Sequence, residues 1–216
     1  MIFPYYTIFI FIGVILAIYV SLKCKIEFYL KTFTIFLVFS FLIEIITFKM
    51  ANSGVPTISN YNFFTTFEFC FYLWAIQNII QNKVVKKWLL YILLIYPIAS
   101  TINILAVQKI DNFHSITYSI GCLLIIFSCI YYFYELFKNK YAINLVKDSG
   151  FWICSGLLFF YSVTFPLFVS ANFMTEFPLK FGEYIGVALI ILNVCLYSLF
   201  SIAFLCRINL RKLFSS

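Results

Sequence analysis

Two glutamates lie inside apolar runs: Glu44 in Phe41-Leu42-Ile43-Glu44-Ile45-Ile46, and Glu68 in Thr65-Thr66-Phe67-Glu68-Phe69-Cys70. A charged carboxylate at the centre of a bilayer costs roughly 2.5–3.5 kcal/mol even on lenient insertion scales. Such a group therefore faces a bundle interior, a partner or water. Two of them close together repel, so that one holds a proton or a cation sits between them. The bland alternative is that Glu44 reaches up to the membrane surface and Glu68 is neutral, bonded to a nearby Tyr or Thr.

Other polar residues recur at helical spacing. Tyr61, Thr65, Glu68 and Tyr72 follow i, i+4, i+7 and i+11 and form one stripe. Tyr96, Ser100 and Asn103 share a second face, and His114, Tyr118, Gly121, Ser128, Tyr132 and Glu135 a third. Glu183, Gly186, Asn193, Tyr197 and Ser201 make a fourth. Small and hydroxyl residues also glue membrane helices together, and packing competes with function as the reason for these stripes. The candidate ligand-binding set is Glu44, Tyr61, Thr65, Glu68, Tyr72, Asn103, His114 and Glu183. His114 is the single histidine and has an ordinary pKa near neutrality. A solvated histidine at the membrane surface is the plainer reading of it.

The elements that must position these residues are seven apolar stretches, at 6–22, 28–48, 61–80, 88–107, 116–137, 151–169 and 184–205. A mean hydropathy of +1.02 and 64% apolar residues exclude an ordinary soluble domain. A bilayer core of about 30 Å takes about 20 apolar residues per helix. Seven such helices use almost all 216 residues, so residues 1–216 read as one transmembrane domain. Eleven of the 15 Lys and Arg residues fall in the first, third and fifth gaps and the tail, and Lys31 lies in the first turn of the second stretch, beside the first gap; the other gaps hold only Lys49, Lys109 and Lys180. Basic residues are retained in the cytoplasm. The expected fold is all-α and polytopic, with seven transmembrane helices, the N-terminus outside and the C-terminus inside. Glu44 and Glu68 then lie about 6 and 10 Å below the outer ends of their helices. Pro97 and Pro166 fall inside helices and predict kinks. Ser53-Gly54-Val55-Pro56 predicts a turn.

Several chemistries find no support. The net charge of +7 sits at helix ends, where it sets orientation and meets anionic lipid, and does not indicate nucleic acid. One histidine cannot build a multi-histidine membrane hydrolase. There is no P-loop, nucleophile elbow or H-E-x-x-H, no metal-ligand spacing, and no lysine in the last helix for a retinal-type Schiff base. No enzyme activity, metal or cofactor is expected. The seven cysteines lack a C-x-x-C pair and read as small apolar side chains. The start lacks a basic region and a small-residue cleavage site, so no cleaved signal peptide is expected.

Tyr61-Asn62-Phe63-Phe64-Thr65-Thr66-Phe67-Glu68-Phe69 resembles a Y-N-x-x-T-x-x-E-F pattern, and Phe151-Trp152-Ile153-Cys154-Ser155-Gly156 resembles an F-W-I-x-x-G helix start. With its helix layout, the chain resembles an uncharacterised group of bacterial seven-helix membrane proteins, similar to bundles that precede histidine-kinase domains. The resemblance implies a membrane-embedded sensing module, with Glu68 and Trp152 at the matched positions. The sequence departs by stopping at Arg211-Lys212-Leu213-Phe214-Ser215-Ser216 without a kinase, so an output would pass through a separate cytoplasmic or membrane signalling partner.

The expectation is a sensor or receptor-like module of the cell membrane (plasma or bacterial inner membrane) with an outward polar pocket for a small ligand, lipid or cation. A small-solute transporter is the alternative, with Ser128, Tyr132, Asn193 and Tyr197 continuing a polar path inward. The Pro-Gln pairs of small sugar transporters are absent. A membrane-embedded assembly partner is a third possibility.

Overall fold

The computed structural model describes residues 5–138, 145–173 and 179–208, with side chains throughout except at 171–183. The described residues form seven long helices and no strand. These are α1 (Tyr6–Lys23), α2 (Phe28–Asn52), α3 (Ile58–Ile79), α4 (Lys83–Ile102), α5 (Ser115–Lys138), α6 (Ser149–Phe173) and α7 (Leu179–Leu205). A π-helical turn, Asn103–Val107, extends α4, and a short 3-10 turn, Leu145–Lys147, precedes α6.

Six of the helices are long and apolar enough to cross a membrane; α3 is the exception. Its sequence interrupts the aromatic run with Asn62, Thr65, Thr66, Glu68, Gln77 and Asn78. The packing accounts for that composition. Helix α3 is covered by α2, α4, α5 and α6, and residues from Asn62 and Phe64 to Ala75 and Ile76 are buried on several of its faces. Its polar groups meet protein on most sides, where hydrogen bonds replace the missing water.

The helices close a circuit in which α1 packs on α2 and α7, α6 on α5 and α7, and α3 joins α2 to α5. Helix α4 sits outside the circuit against α3, with an apolar outer face that includes Trp88, Leu94, Ile95, Ile98 and Ile102. In α1 the buried positions Thr7, Ile10, Val14, Ala17 and Val20 repeat at helical spacing and face the bundle, while Ile8, Phe11, Ile12 and Ile15 point outward. A layer of rings fills the middle of the bundle. Phe36 and Phe71 stack with centroids 4.0 Å apart, and Phe33 meets Phe200 edge-on at 4.9 Å. Tyr72, Tyr161, Phe69 and Phe204 complete this layer and are fully buried.

Lateral bonds show that successive helices run in opposite directions. Tyr6 bonds Glu44, Asn60 bonds Thr47 and Thr65 bonds His114 at one end. Ser21 bonds Thr34, Gln77 bonds the Lys86 carbonyl, and Arg207 bonds Glu27 at the other. This alternation collects Lys23, Lys25, Lys31, Lys83, Lys86, Lys87, Lys138, Lys147 and Arg207 at the Arg207 end.

The expected turn after α2 is a left-handed helix stop. Gly54 has φ +72°, its N–H donates to the Ala51 carbonyl, and Val55 N–H donates to the Met50 carbonyl. Glycine takes that conformation without a Cβ clash. Helices α4 and α6 run on through Pro97 and Pro166. One turn further on, the Thr101 hydroxyl donates to the Pro97 carbonyl at 2.8 Å.

Candidate functional site

The end of the bundle away from Arg207 opens into a cavity of about 390 Å³. Its wall comes from α1, α2, α3, α6 and α7, the α4–α5 connection and α5: Tyr6, Glu44, Tyr61, Thr65, Glu68, Phe113, Tyr118, Phe160, Phe168, Asn193 and Tyr197 all line it. The two glutamates thus share one cavity. Each has a phenol donor. Tyr6 Oη donates to Glu44 Oε2 at 2.9 Å, linking α1 to α2, and Tyr72 Oη donates to Glu68 Oε1 at 2.9 Å within α3. Tyr72 is fully buried and forms the layer directly beneath Glu68. None of the described lining residues is Lys, Arg or His.

Four of the eight residues singled out in the sequence line this cavity: Glu44, Tyr61, Thr65 and Glu68. Tyr72 touches it through Glu68. Asn103 and His114 stand behind the wall. The Glu183 side chain lies outside the described residues.

His114 departs from the solvated residue the sequence suggested. It is fully buried in the α4–α5 connection. Its Nε2 is 2.7 Å from Thr65 Oγ1, and its Nδ1 is 2.8 Å from Thr117 Oγ1. Thr65 Oγ1 has a close acceptor in the Tyr61 carbonyl at 2.8 Å, while the carbonyl open to Thr117 Oγ1, that of His114, is farther at 3.3 Å; a neutral imidazole with its proton on Nε2 and an acceptor at Nδ1 therefore serves both hydroxyls at their shorter contacts. Burial pushes its pKa down from the usual value to about 4. The adjoining N-terminus of α5 opposes a positive charge there as well. His114 is a neutral strut that holds Thr65 in the cavity wall.

Asn62 reinforces the strut. Its Nδ2 donates to the Asn112 carbonyl at 2.8 Å and its Oδ1 accepts from His114 N–H at 3.2 Å. Asn103 Nδ2 donates to Gln108 Oε1 at 2.7 Å and to Thr117 Oγ1 at 3.1 Å, which closes the connection between α4 and α5. The periodicity placed Asn103 correctly near this end, but it serves the loop and not the cavity. Nothing in the spacing marked Asn62, because its partners are backbone groups about 50 residues away.

The aromatic half of the wall was not foreseen. Phe113 and Phe168 lie 5.1 Å apart between centroids, Tyr118 and Phe168 4.5 Å, and Phe113 and Tyr118 5.2 Å. Asn193 and Tyr197, expected on an inward path, line the outer cavity instead. Ser128 and Tyr132, the remainder of that path, are engaged elsewhere. Ser128 donates to the Leu124 carbonyl, and Tyr132 donates to Asp148 Oδ2 at 2.8 Å. Trp152 lies far from the cavity, where its Nε1 donates to the Val146 carbonyl at the start of α6.

A second, smaller cavity of about 210 Å³ opens at the opposite end among Glu27, Tyr29, Gln81, Tyr132, Glu135, Asp148 and Arg207. Arg207 Nη2 meets Glu27 Oε1 at 2.7 Å, and its Nε donates to Ser149 Oγ at 2.6 Å. Glu135 accepts the N–H groups of Gln81 and Asn82 at 2.7 and 2.8 Å. Its charge is thus matched to the exposed donors of the turn that leads into α4. Among the described residues, no group of three or more His, Cys, Asp or Glu side chains is arranged to hold a metal ion.

Comparison of the chain with protein-family models, with curated proteins and with solved structures gave no match.

Proposed function

We propose that the chain is a seven-span sensor or receptor-like module of a cell membrane, with the Glu44–Glu68 cavity outside and Arg207 inside. The orientation rests on the collection of basic residues at the Arg207 end. Helix α3 spans with the other six because its neighbours cover its polar groups.

The observation that carries the reading is the cavity. At about 390 Å³ it falls within the range of small-molecule sites, and it combines an apolar wall with a few converging polar groups. Helix α7 offers the route to the other side. It presents Asn193 and Tyr197 to the cavity and leads to Arg207, which ties α7 to Glu27 before α2 and to Ser149 at the start of α6. Ten residues of helix separate Tyr197 from Arg207, about 15 Å. A ligand that binds two packings of α7 with different affinity shifts the balance between them. The inner surface around Lys83, Lys87, Lys138 and Lys147 would then present a changed face to a signalling partner.

Native mass spectrometry of gently extracted protein, wild type beside Glu68→Gln, tests this. A small molecule carried by the wild type and lost from the variant supports a ligand site in the cavity. Two empty proteins of equal mass, apart from the substitution, overturn it.

The second cavity favours one other reading, a transporter that opens alternately to either side. The ring layer of Phe33, Phe36, Phe71, Tyr72 and Phe200 lies between the two cavities as the closed gate. Flux of the co-extracted molecule in proteoliposomes separates the two. A sensor binds without flux.

A further inference from the structure

We infer that the outer cavity takes an organic ammonium ion, with its charged head at Glu44 and Glu68 and its apolar body against the rings of Phe113, Tyr118 and Phe168. This rests on the reading of that cavity as a ligand site and adds the chemical class.

The wall selects for charge. Glu44 and Glu68 line the same cavity, and no basic side chain stands among the described residues of the lining. An anion would face two carboxylates with no counter-charge. A neutral apolar molecule would displace water from both carboxylates and return nothing. Each carboxylate already has one oxygen held by a phenol, from Tyr6 or Tyr72, and no other donor reaches either group among the described residues. The second oxygen of each remains to accept from an N–H of a ligand. Charge-assisted bonds of that kind are about twice as strong as neutral ones.

The wall also selects against a bare metal ion. Calcium takes six to eight oxygen ligands, and magnesium needs a near-octahedral set. The cavity supplies two carboxylates in a lining that is mostly apolar. Its volume is also that of about a dozen waters, at roughly 30 Å³ each, far more than one dehydrated ion fills. The three rings, with centroids 4.5–5.2 Å apart, make a continuous face in the cavity that holds the carboxylates. A ring face attracts a cation as well as an apolar stem.

The test is a thermal-unfolding titration of purified wild-type protein with matched probes that differ in the head group. Phenethylammonium, 2-phenylethanol and phenylacetate share size and ring. Cyclohexylammonium with cyclohexylmethanol, and tetraethylammonium alone, extend the set to other shapes. We expect at least one ammonium to bind more than tenfold tighter than its neutral counterpart, with phenylacetate weakest. Glu44→Gln and Glu68→Gln should each reduce the ammonium affinity at least tenfold and leave 2-phenylethanol within twofold. The wild-type comparison needs no variant, so a variant that fails to fold does not blunt it. Neutral probes that bind as well as the ammonium ions overturn the ammonium assignment and leave the cavity as a ligand site. A protein that binds no probe, and that also emerges empty from native mass spectrometry, overturns both.

Discussion

Tyr6 Oη lies 2.9 Å from Glu44 Oε2, and this bond fastens the first helix to the second at the rim of the outer cavity. Its counterpart below, Tyr72 Oη to Glu68 Oε1, lies within one helix and joins a fully buried phenol to a carboxylate that lines the same cavity. The two bonds do similar chemistry in different surroundings, which makes their removal informative.

Tyr72→Phe removes the only donor to Glu68 among the described residues while keeping the ring. A buried acceptor left without its partner costs about 1–3 kcal/mol. Tyr6 is only half-buried while Tyr72 is fully buried, so Tyr6→Phe leaves its carboxylate easier to reach by water and its cost should be smaller. Thermal unfolding in detergent should therefore rank wild type, Tyr6→Phe and Tyr72→Phe in falling order. A double-mutant cycle of Tyr6→Phe with Glu44→Gln should show a coupling of about 0.5 kcal/mol or more. A cycle that closes to zero removes this bond from the account.

His114 sets a pH dependence. Its folded pKa is depressed to about 4 by burial, against an ordinary value near 6.5. The unfolded chain therefore takes up a proton first as the pH falls. The stability due to the neutral imidazole is complete above pH 6.5 and is lost progressively from there down to about pH 4. The full loss is on the order of 3 kcal/mol. His114→Gln, which can still donate to Thr65, should flatten that part of the stability profile. An unfolding midpoint that falls with equal slope in both proteins over this range would show that other groups set the dependence.

Among the described glycines, Gly121 has the least room for a side chain. A Cβ placed there would come within 2.7 Å of Tyr96 Oη and 2.9 Å of the Phe69 ring. Both neighbours are buried, so neither can swing away freely. Gly121→Ala should destabilise by about 1–3 kcal/mol through overpacking. Gly186→Ala is the control, because a Cβ there meets open space in the cavity. Unfolding midpoints of the pair check this, and equal midpoints would refute the close packing of α3, α4 and α5.

The helices and half of the cavity could be read in the sequence because their signals are local. Apolar runs give the spans, and a costly carboxylate inside such a run points to an interior site. Thr65 and Glu68 were found because they share a stripe with Tyr61. Tyr118 was marked only as part of a polar stripe, and Phe113 and Phe168 were not found, because 29 Phe and 16 Tyr make an aromatic residue an uninformative neighbour. Periodicity separates one helix face from another but does not say whether a face meets lipid, protein or a cavity. His114 failed for a related reason. Its burial depends on Thr65, Asn62 and Thr117, and the first two come from another helix. Helix α3 shows the same limit from the other side. Its composition falls short of a spanning helix because the interior that tolerates it is made by its neighbours.

Arg207 offers the clearest separation of stability from coupling. Its guanidinium reaches Glu27 and Ser149 together, but the ion pair is partly exposed, with side chains 27% and 47% accessible. Exposed pairs contribute little, about 0–1 kcal/mol, and salt screens them. Arg207→Lys keeps the charge and loses the second donor, so it should move the unfolding midpoint only slightly. If this contact ties the inner ends of α2, α6 and α7, its loss should still speed hydrogen exchange at the amides of residues 149–153 and 204–208. That acceleration should be several-fold and should shrink when the outer cavity is filled, because ligand and latch bias the same motion of α7. Exchange rates equal to wild type in both conditions would mean that Arg207 is a surface contact and that α7 carries no signal from the cavity to the inner face.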